Sequence, residues 1–253
     1  MTVLSAVSLS LRLGQKEVLS GVDLDLREGS LTLLAGRNGA GKTTLLSALA
    51  GLLCPDHGEV RIGGIDVGTI APRARARELT LIPQEAESPF EFSGRELVMM
   101  GRHMHIPRFR GPGVKDLAAV DEAIALVDAT AFVDRSVRTL SGGERQRIGI
   151  ARALATRAPI LLADEPTANL DLEHALAVMG LFQRLAREGY TVVVASHDLN
   201  MVAPFADAVI LLHEGRIRFD GCPEEAFAAE LVEEVFGVRS FDPDGFFPRT
   251  FRS

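Results

Sequence analysis

Cysteine is scarce in this sequence, since only Cys54 and Cys222 occur among its 253 residues. Two cysteines that lie far apart in the chain argue against a disulfide framework and favour a protein of a reducing compartment. We therefore expect each of them to be a small buried thiol.

Long apolar runs and the features of a secretion signal are also lacking. The sequence contains no run of about 18 consecutive apolar residues, the length that a membrane-spanning helix needs. Its N-terminal stretch lacks the basic start and the unbroken apolar core of a signal peptide. These absences predict a cytosolic protein, whose role at a membrane, if it has one, comes through a partner.

An excess of positive charge is the third absence. The chain has 27 Lys and Arg against 34 Asp and Glu, a net charge of -7. Proteins that bind DNA or RNA over a broad surface are usually basic, so nucleic acid is not an expected partner. The rest of the composition, 47% hydrophobic and 24% charged, is ordinary, and the length fits one large α/β domain or two small ones.

The spacing of the apolar residues predicts an α/β fold. Val22, Leu24 and Leu26 alternate with polar residues, as in a half-buried strand. Continuous apolar runs predict strands that are buried on both faces at residues 31–36, 79–84, 159–164 and 191–196. A helical stretch separates the last two runs, which gives βαβ units and a parallel sheet.

Two hairpins and a helical insertion complete the predicted organisation. The hairpins fall at residues 58–67 and 209–219. Helical patterns over about residues 90–157, with a loop of Pro and Gly between them, predict an insertion flanked by α/β material. The tail at residues 239–253 has no readable period, and we assign it no role.

Residues 36–43 read GRNGAGKT and fit the pattern G-x-x-x-x-G-K-[S/T] between a predicted strand and a predicted helix. In such a phosphate loop the amides can wrap phosphates, Lys42 reaches the β- and γ-phosphates, and the Thr43 hydroxyl can ligate Mg²⁺. An ordinary glycine turn is the alternative, but a chain of this length matches the pattern by chance only about once in a hundred times. We therefore predict nucleotide binding by Gly36, Arg37, Asn38, Gly39, Ala40, Gly41, Lys42, Thr43 and Thr44.

Four polar residues follow predicted strands, at the edge where the ligands of a parallel sheet gather. Asp164 can hold Mg²⁺, and Glu165 beside it can orient attacking water as a base. Taken alone, such an acidic pair is more often the polar start of a loop, but the phosphate loop favours the catalytic interpretation. His197 and Gln84 follow two further strands at the same edge, where a lone histidine is more often structural.

Residues 140–147 read LSGGERQR and predict a helix start with an unusual feature. Ser141 and Glu144 have the spacing of a capping box, in which each side chain satisfies a free amide. Gly142 and Gly143 are not needed for a cap, and each glycine costs about 1 kcal/mol against alanine inside a helix. Bare amides at a helix start let an anion approach closely, which predicts a second phosphate-binding element.

Five motifs occur along the chain in this order: GRNGAGKT, Gln84, LSGGERQR, ILLADEPTANLD and SHD. In their order and spacing they closely resemble the ATP-binding subunit of ATP-binding-cassette (ABC) transporters, from about residue 3 to about residue 238. The resemblance implies one P-loop NTPase domain of α/β class over residues 1–238. In that domain a mostly parallel core sheet carries an N-terminal antiparallel β subdomain and the helical insertion.

The resemblance also implies why one chain has two phosphate-binding elements. In this family two subunits face each other head to tail and sandwich ATP. Ser141, Gly142 and Gly143 of one subunit would then contact ATP held by the phosphate loop of the other subunit. Asp171 would couple the two sites across the interface.

Further roles at the nucleotide are implied in the same way. Glu165 would be the general base and His197 the γ-phosphate switch. Gln84 would link Mg²⁺ to the helical insertion, and together with Thr43 and Asp164 it forms the expected Mg²⁺ site. ATP and Mg²⁺ are the expected cofactors.

One position departs from the family pattern. The family usually places an aromatic residue that stacks on adenine just before the turn into the second strand, and the matching position is Leu13. Weaker apolar contact from Leu13, together with Val18, would replace the stack. We therefore expect looser adenine affinity or a relaxed choice of base.

The expected partners follow from the absence of a membrane span. A separate permease would dock on the helical insertion near residues 85–115 and would connect the chain indirectly to a substrate-binding protein. Finer resemblance is to bacterial import ATPases for iron–siderophore complexes, haem and cobalamin, which act at the cytoplasmic face of the inner membrane. His103 and His105 are more often solvated or in contact with a partner than metal ligands, so no metal other than Mg²⁺ is expected.

Other functions remain open at this point. The chain could serve another small-molecule or metal transporter. A soluble cassette that closes on nucleic acid is opposed by the acidic balance of the chain. A nucleotide-binding scaffold with little turnover is opposed by the presence of Glu165 and His197.

Overall fold

The computed structural model describes residues 2–84 and 91–237, apart from the side chain of Ala229. Within these residues the strands are β1 (Thr2–Leu13), β2 (Lys16–Arg27), β3 (Leu31–Ala35), β4 (His57–Ile62), β5 (Ile65–Asp66), β6 (Leu79–Ile82), β7 (Ile160–Asp164), β8 (Thr191–Ser196), β9 (Ala208–His213) and β10 (Arg216–Gly221). The helices are α1 (Lys42–Leu49), α2 (Pro72–Glu78), α3 (Gly94–Met100), α4 (Val114–Leu126), α5 (Gly142–Ala155), α6 (Leu172–Arg187), α7 (Leu199–Val202), α8 (Pro223–Ala226) and α9 (Ala229–Phe236). The predicted tail, and residues 85–90 of the predicted docking region, lie outside the described residues.

The strands form two sheets. The N-terminal sheet is antiparallel and has the order β2-β1-β4-β5. The core sheet has the order β10-β9-β3-β8-β7-β6, in which only the edge strand β10 pairs antiparallel, with β9. The predicted α/β class, with a mostly parallel core sheet and an N-terminal antiparallel β subdomain, is therefore confirmed.

The central strands β3, β7 and β8 of the core sheet are buried on both faces, as their continuous apolar runs predict. Every residue of β3 is buried. Leu33 belongs to the hydrophobic cluster that includes the helical region and α6, whereas Leu34 belongs to the cluster that includes α1 and the antiparallel sheet. Because burial of a leucine side chain contributes about 1.5–3 kcal/mol, both layers stabilise the strand that leads into the phosphate loop.

Helices α3, α4 and α5 lie between β6 and β7 in the chain, where the helical insertion is predicted. Helix α5 packs against both of the others. Gly101 allows the close approach of α3, because a Cβ there would lie 2.2 Å from the carbonyl oxygen of Arg152 in α5. A partly buried ion pair joins Arg102 to Asp116 at 3.0 Å, and Arg102 also donates to the Ala155 carbonyl oxygen at the end of α5. These contacts fix the helix that begins with the serine–glycine motif.

The parallel register brings three strand ends together at one edge of the core sheet. Ala35 of β3 pairs with Ser196 of β8, and Asp164 of β7 pairs with Ala195 of β8. The segments that follow these strands carry the phosphate loop, Glu165 and His197. The fold therefore places side chains that are more than 100 residues apart in one small region.

The prediction of buried thiols is wrong, because both cysteines are exposed. Cys54 lies in the connection between α1 and β4, and Cys222 directly follows β10. Both are loop positions, where backbone groups meet water and a side chain is seldom enclosed.

Candidate active site

The phosphate loop begins where β3 ends and leads into α1. Two of its glycines are required by close backbone contacts. A Cβ at Gly36 would lie 2.2 Å from the carbonyl oxygen of Leu212, and a Cβ at Gly41 would lie 3.1 Å from the carbonyl oxygen of Val18. Gly41 also has φ +107°, in the region that favours glycine. The loop is therefore held tightly against the neighbouring strands.

Lys42 lies inside this loop and is only 6% exposed. Its Nζ donates to the carbonyl oxygen of Gly36 at 2.8 Å and lies 3.8 Å from Glu165 Oε1. Burial lowers the pKa of the Lys42 ammonium, although the charges of Glu165 and Asp164 act in the opposite direction. A buried ammonium that donates to backbone carbonyl oxygens can donate to the oxygens of a bound phosphate instead.

Asp164 ends β7 and is 4% exposed. Its Oδ1 atom is buried and has no hydrogen-bond partner among the described residues, whereas the Thr43 side chain does hydrogen-bond to the carboxylate. Burial raises the pKa of Asp164, against the opposing effect of the Thr43 hydrogen bond. Hard cations such as Mg²⁺ prefer oxygen ligands of this kind, so the unpaired oxygen beside a hydroxyl fits a Mg²⁺ site.

Glu165 is buried and paired with His197. The His197 Nδ1 atom lies 2.9 Å from Glu165 Oε1, at the end of the neighbouring strand. Glu165 has φ +48°, which is unusual for a residue with a side chain, and its amide donates to the Ala195 carbonyl oxygen at 2.9 Å. Left-handed backbone costs roughly 1–2 kcal/mol in a residue with a Cβ. The surrounding contacts hold this conformation, which aims the carboxylate at Lys42 and His197.

The predicted capping box at the start of α5 is confirmed. The Ser141 amide donates to Glu144 Oε2 at 2.7 Å, and the Glu144 amide donates to Ser141 Oγ at 3.2 Å. The structure also gives a local reason for one of the two glycines. A Cβ at Gly143 would lie 3.1 Å from the Asn169 carbonyl oxygen, so the segment that follows Glu165 packs closely on this helix start.

Ser141 and Asp171 lie in one cavity of about 590 Å³, which does not include the phosphate loop. Asp171 caps α6, because its Oδ1 accepts the His174 amide at 2.9 Å, and it also lies 2.7 Å from His174 Nδ1. The cavity is lined by Ser141, Gly142, Gly143, Glu144, Arg147, Asn169, Leu170, Asp171 and His174. A single chain therefore presents two separate groups of predicted nucleotide-binding residues.

Three further predicted residues lie outside these two groups of contacts. Gln84 is exposed two residues beyond β6, whose last residue pairs with Ala163 of β7. Leu13 is 49% exposed at the turn between β1 and β2, and Val18 lies against Gly41 of the phosphate loop. Their contacts with a nucleotide remain predictions.

Two contacts at this site were not predicted from the sequence. Arg147 lies 4.7 Å from the centre of the Phe132 ring and also lines the serine–glycine cavity. His174 binds Asp171, and the spacing of three residues after a helix-capping aspartate is the signal that predicts such a contact. Of the two histidines weighed as metal ligands, His105 binds the Thr156 carbonyl oxygen at 2.8 Å, and His103 is exposed.

Sequence comparisons relate the chain to proteins of transport systems. Residues 19–168 match the ABC transporter family. The hemin import ATP-binding protein HmuV of Streptomyces coelicolor is 44% identical over 232 residues, which cover 92% of this chain and 82% of that protein. The ferric enterobactin transport ATP-binding protein FepC of Escherichia coli is 41% identical, with 81% and 76% covered. The cobalamin import ATP-binding protein BtuD of Halobacterium salinarum is 42% identical over 81% of this chain, but the match spans only 52% of that protein.

Comparison with solved structures gives the same picture. An inward-facing transporter of the metal-chelate ABC type superposes with a TM-score of 0.82 at 30% identity, over 94% of this chain and 90% of that one. The ATP-binding cassette MJ0796, a dimer in a post-hydrolysis state with ADP and Pi, superposes with a TM-score of 0.79 at 28% identity. The match covers 87% of this chain and 98% of that one.

Proposed function

Because the chain belongs to the ABC transporter family, we propose that it is the ATP-hydrolysing subunit of an importer. Its transported compound is an iron complex (with a siderophore or haem) or cobalamin, which are the compounds named for the similar import proteins. One observation carries the proposal: in a chain 41–44% identical to such proteins, the buried Lys42 lies beside the Glu165–His197 pair. A nucleotide loop next to a carboxylate supports hydrolysis and not only binding.

Nucleotide binding in this proposal uses the groups that surround Lys42. The loop amides and Lys42 Nζ bind the β- and γ-phosphates, because they form a buried positive cradle. Thr43 and Asp164 would hold Mg²⁺, and Gln84, two residues beyond β6, would be a third ligand. Mg²⁺, when bound, neutralises phosphate charge. The unpaired Asp164 oxygen supports this assignment.

Hydrolysis is assigned to the Glu165–His197 pair. The Glu165 carboxylate accepts a proton from the attacking water, a role that fits an acceptor held 3.8 Å from the phosphate-binding lysine. His197 donates through Nδ1 to Glu165 and so fixes the direction of the carboxylate. In the imidazolium form the other ring nitrogen, Nε2, also donates, and it is this nitrogen that contacts the γ-phosphate. His197 therefore senses whether the γ-phosphate is present.

The complete site requires a second copy of the chain. Ser141, Gly142 and Gly143 of that copy cap the γ-phosphate with helix-start amides, and Asp171 beside them lies at the interface. Two observations support this arrangement. The serine–glycine cavity does not include the phosphate loop of its own chain, and the similar cassette MJ0796 forms a dimer.

The transport partners are separate proteins in this proposal. No helix within residues 2–84 and 91–237 is long and apolar enough to cross a membrane. A transmembrane permease docks on the helical region, holds the chain at the cytoplasmic face of the inner membrane, and receives its cargo from a substrate-binding protein. ATP-driven closure of the two copies supplies the motion.

The proposal is tested by the substitution Glu165→Gln. Loss of the general base should lower ATP turnover by roughly 10²–10⁴-fold while ATP binding persists. An ATP-bound dimer should accumulate and be visible by size-exclusion chromatography. The control is Glu173→Gln, an exposed carboxylate near the start of α6 that should leave turnover unchanged. Turnover near the wild-type rate in Glu165→Gln would contradict the proposed role.

A further inference from the structure

The connection between α3 and α4 presents an aromatic ring to water. Phe109 is 98% exposed, more than any other large apolar side chain among the described residues. Arg108 and Arg110 flank it and are also exposed, and the Arg108 guanidinium lies 5.8 Å from the centre of the ring. A single exposed ring is ordinary at a protein surface, and this one points to a partner because exposed cations flank it.

The base of this connection is fixed to the core. Arg73 and Arg77 of α2 both donate to the Met104 carbonyl oxygen, from Arg73 Nε at 3.0 Å and from Arg77 Nη2 at 2.9 Å. Nearer the tip, the Arg110 amide donates to the Pro107 carbonyl oxygen at 3.0 Å and closes a turn. These bonds fix the start of the connection and the turn that carries the exposed ring.

We call residues 107–115, the end of this connection and the first two residues of α4, the basic loop. Its charge is opposite to that of the whole chain. Its cations are all exposed: Arg108, Arg110 and Lys115. The loop contains no acidic residue, although the chain has a net charge of -7. The next acidic residue, Asp116, is paired with Arg102 at 3.0 Å, and its other oxygen accepts the Gly113 amide of the loop at 3.0 Å. The basic loop therefore forms a local cationic patch around one exposed ring.

We propose that the basic loop binds the surface of a membrane that contains anionic lipids. Phe109 enters the boundary between headgroups and acyl chains, and the three cations bind lipid phosphates. Aromatic rings beside cations favour this boundary, and an anionic surface attracts basic segments next to it. Long, separate cations around one protruding ring suit a fluid array of phosphates better than a shaped protein pocket. The inference goes beyond the proposed function, because it assigns residues 107–115, at the end of the region predicted to dock the permease, to a lipid contact instead.

The first test uses the absence of tryptophan from the chain. Phe109→Trp places the sole tryptophan at the tip of the basic loop. Its emission should shift to shorter wavelength with phosphatidylglycerol vesicles, and brominated acyl chains should quench it, whereas phosphatidylcholine vesicles should have little effect. Ile65→Trp, at a position that is 59% exposed in β5, is the control and should show no shift.

The second test removes charge without removing the ring. Arg108→Gln with Arg110→Gln should weaken binding to phosphatidylglycerol vesicles roughly 30-fold in flotation, since each cation near an anionic surface contributes several-fold. Arg184→Gln with Arg187→Gln makes the same change in charge on exposed positions of α6 and should bind like the wild type. High salt should also release the wild-type chain.

Two results would overturn the inference. Equal vesicle binding by the loop variant and the α6 variant would show that the basic loop is not the lipid-binding surface. The tryptophan emission could instead shift only when the permease is present, and do so in phosphatidylcholine vesicles. That result would identify a contact with the permease and not with anionic lipid. ATP hydrolysis measured on the same preparations distinguishes the proposed ATPase function from the lipid contact. A chain that hydrolyses ATP but does not bind anionic vesicles refutes only the lipid contact.

Discussion

Asp164 shows how a residue of the candidate site can oppose folding. One of its oxygens is buried without a hydrogen-bond partner among the described residues, and burial raises the pKa of the carboxyl group. A buried unpaired acceptor costs folding free energy, because water satisfied it in the unfolded chain. The same oxygen is the one that fits Mg²⁺ in the proposed site.

We predict that Asp164→Asn stabilises the nucleotide-free protein at neutral pH and disables the enzyme. The amide removes a buried charge at nearly constant volume, so the urea midpoint of unfolding should rise. Mg²⁺-dependent ATP hydrolysis should fall by roughly 100-fold or more, because a metal ligand is lost. A lower unfolding midpoint for the variant, measured without nucleotide, would contradict this explanation.

The same substitution predicts a pH dependence of stability. Because the folded state raises the pKa of Asp164, it binds more protons than the unfolded state between the ordinary value of 3.8 and the raised one. The wild-type free energy of unfolding should therefore fall as pH rises through that window. In Asp164→Asn this part of the decrease should be absent. The difference in the free energy of unfolding between the variant and the wild type should therefore grow with pH and then level off.

Leu13 leads to a prediction about the choice of base. At 49% exposure, leucine offers less contact to an adenine ring than an aromatic residue, so ATP and GTP should compete with similar affinity in the wild type. Leu13→Tyr should tighten ATP binding about tenfold, which is typical of stacking on one base. Leu52→Tyr, at another exposed leucine, is the control. Displacement of a fluorescent nucleotide by ATP or GTP measures the affinity of each variant. A strong preference for one nucleotide in the wild type would refute this interpretation of Leu13.

The sequence predicts these residues as site residues, but it does not predict their contacts with one another. Lys42, Asp164 and Glu165 were predicted because the spacing of the phosphate loop and of a carboxylate after a strand is local information. The contact between Glu165 and His197 joins residues 32 positions apart and depends on the order of the strands. The left-handed backbone of Glu165 has no sequence signal at all, because tertiary contacts impose it.

At the scale of helices and strands, local patterns predicted most of the structure. The capping box of Ser141 and Glu144 predicted the start of α5, and the continuous apolar runs predicted four of the six strands of the core sheet. The hairpin at residues 209–219 predicted the other two strands, β9 and β10. The close approach of α3 to α5 at Gly101 was not predicted. A helical glycine with ordinary backbone angles looks the same in a sequence whether or not a neighbouring helix crosses it.

Two glycines should therefore respond in opposite directions to substitution by alanine. Gly101→Ala should destabilise the protein by about 1–3 kcal/mol, because its Cβ would lie 2.2 Å from a carbonyl oxygen of α5. Gly180→Ala in α6 should stabilise it by about 1 kcal/mol, since no atom lies within 4 Å of the added Cβ and alanine favours helix. Urea unfolding measures the free energy of unfolding of both variants, and an unchanged dependence on urea concentration shows that only stability has changed. Equal stability of the two variants would show that the α3–α5 contact is looser than described.

At the scale of the whole molecule, the parallel sheet was predicted but its strand order was not. β3 lies between β8 and β9, which follow it by more than 150 residues. Apolar runs show that strands are buried but do not show which strands are neighbours. The order matters for function, because it gathers the phosphate loop, Glu165 and His197 at one edge and leaves Ser141 in a separate cavity.

That separation predicts that two defective chains can complement each other. Lys42→Ala removes the phosphate contact in one chain, and Ser141→Arg blocks the helix-start cap in another chain. When both chains also carry Glu165→Gln, neither chain should form an ATP-bound dimer with copies of itself. A mixed dimer has one intact site, formed by Lys42 of one chain and Ser141 of the other. Differently tagged chains should therefore co-purify with ATP only from the mixture, and not with ADP. If the two chains fail to associate, or if Lys42→Ala dimerises alone, the nucleotide does not bridge two copies in the proposed way.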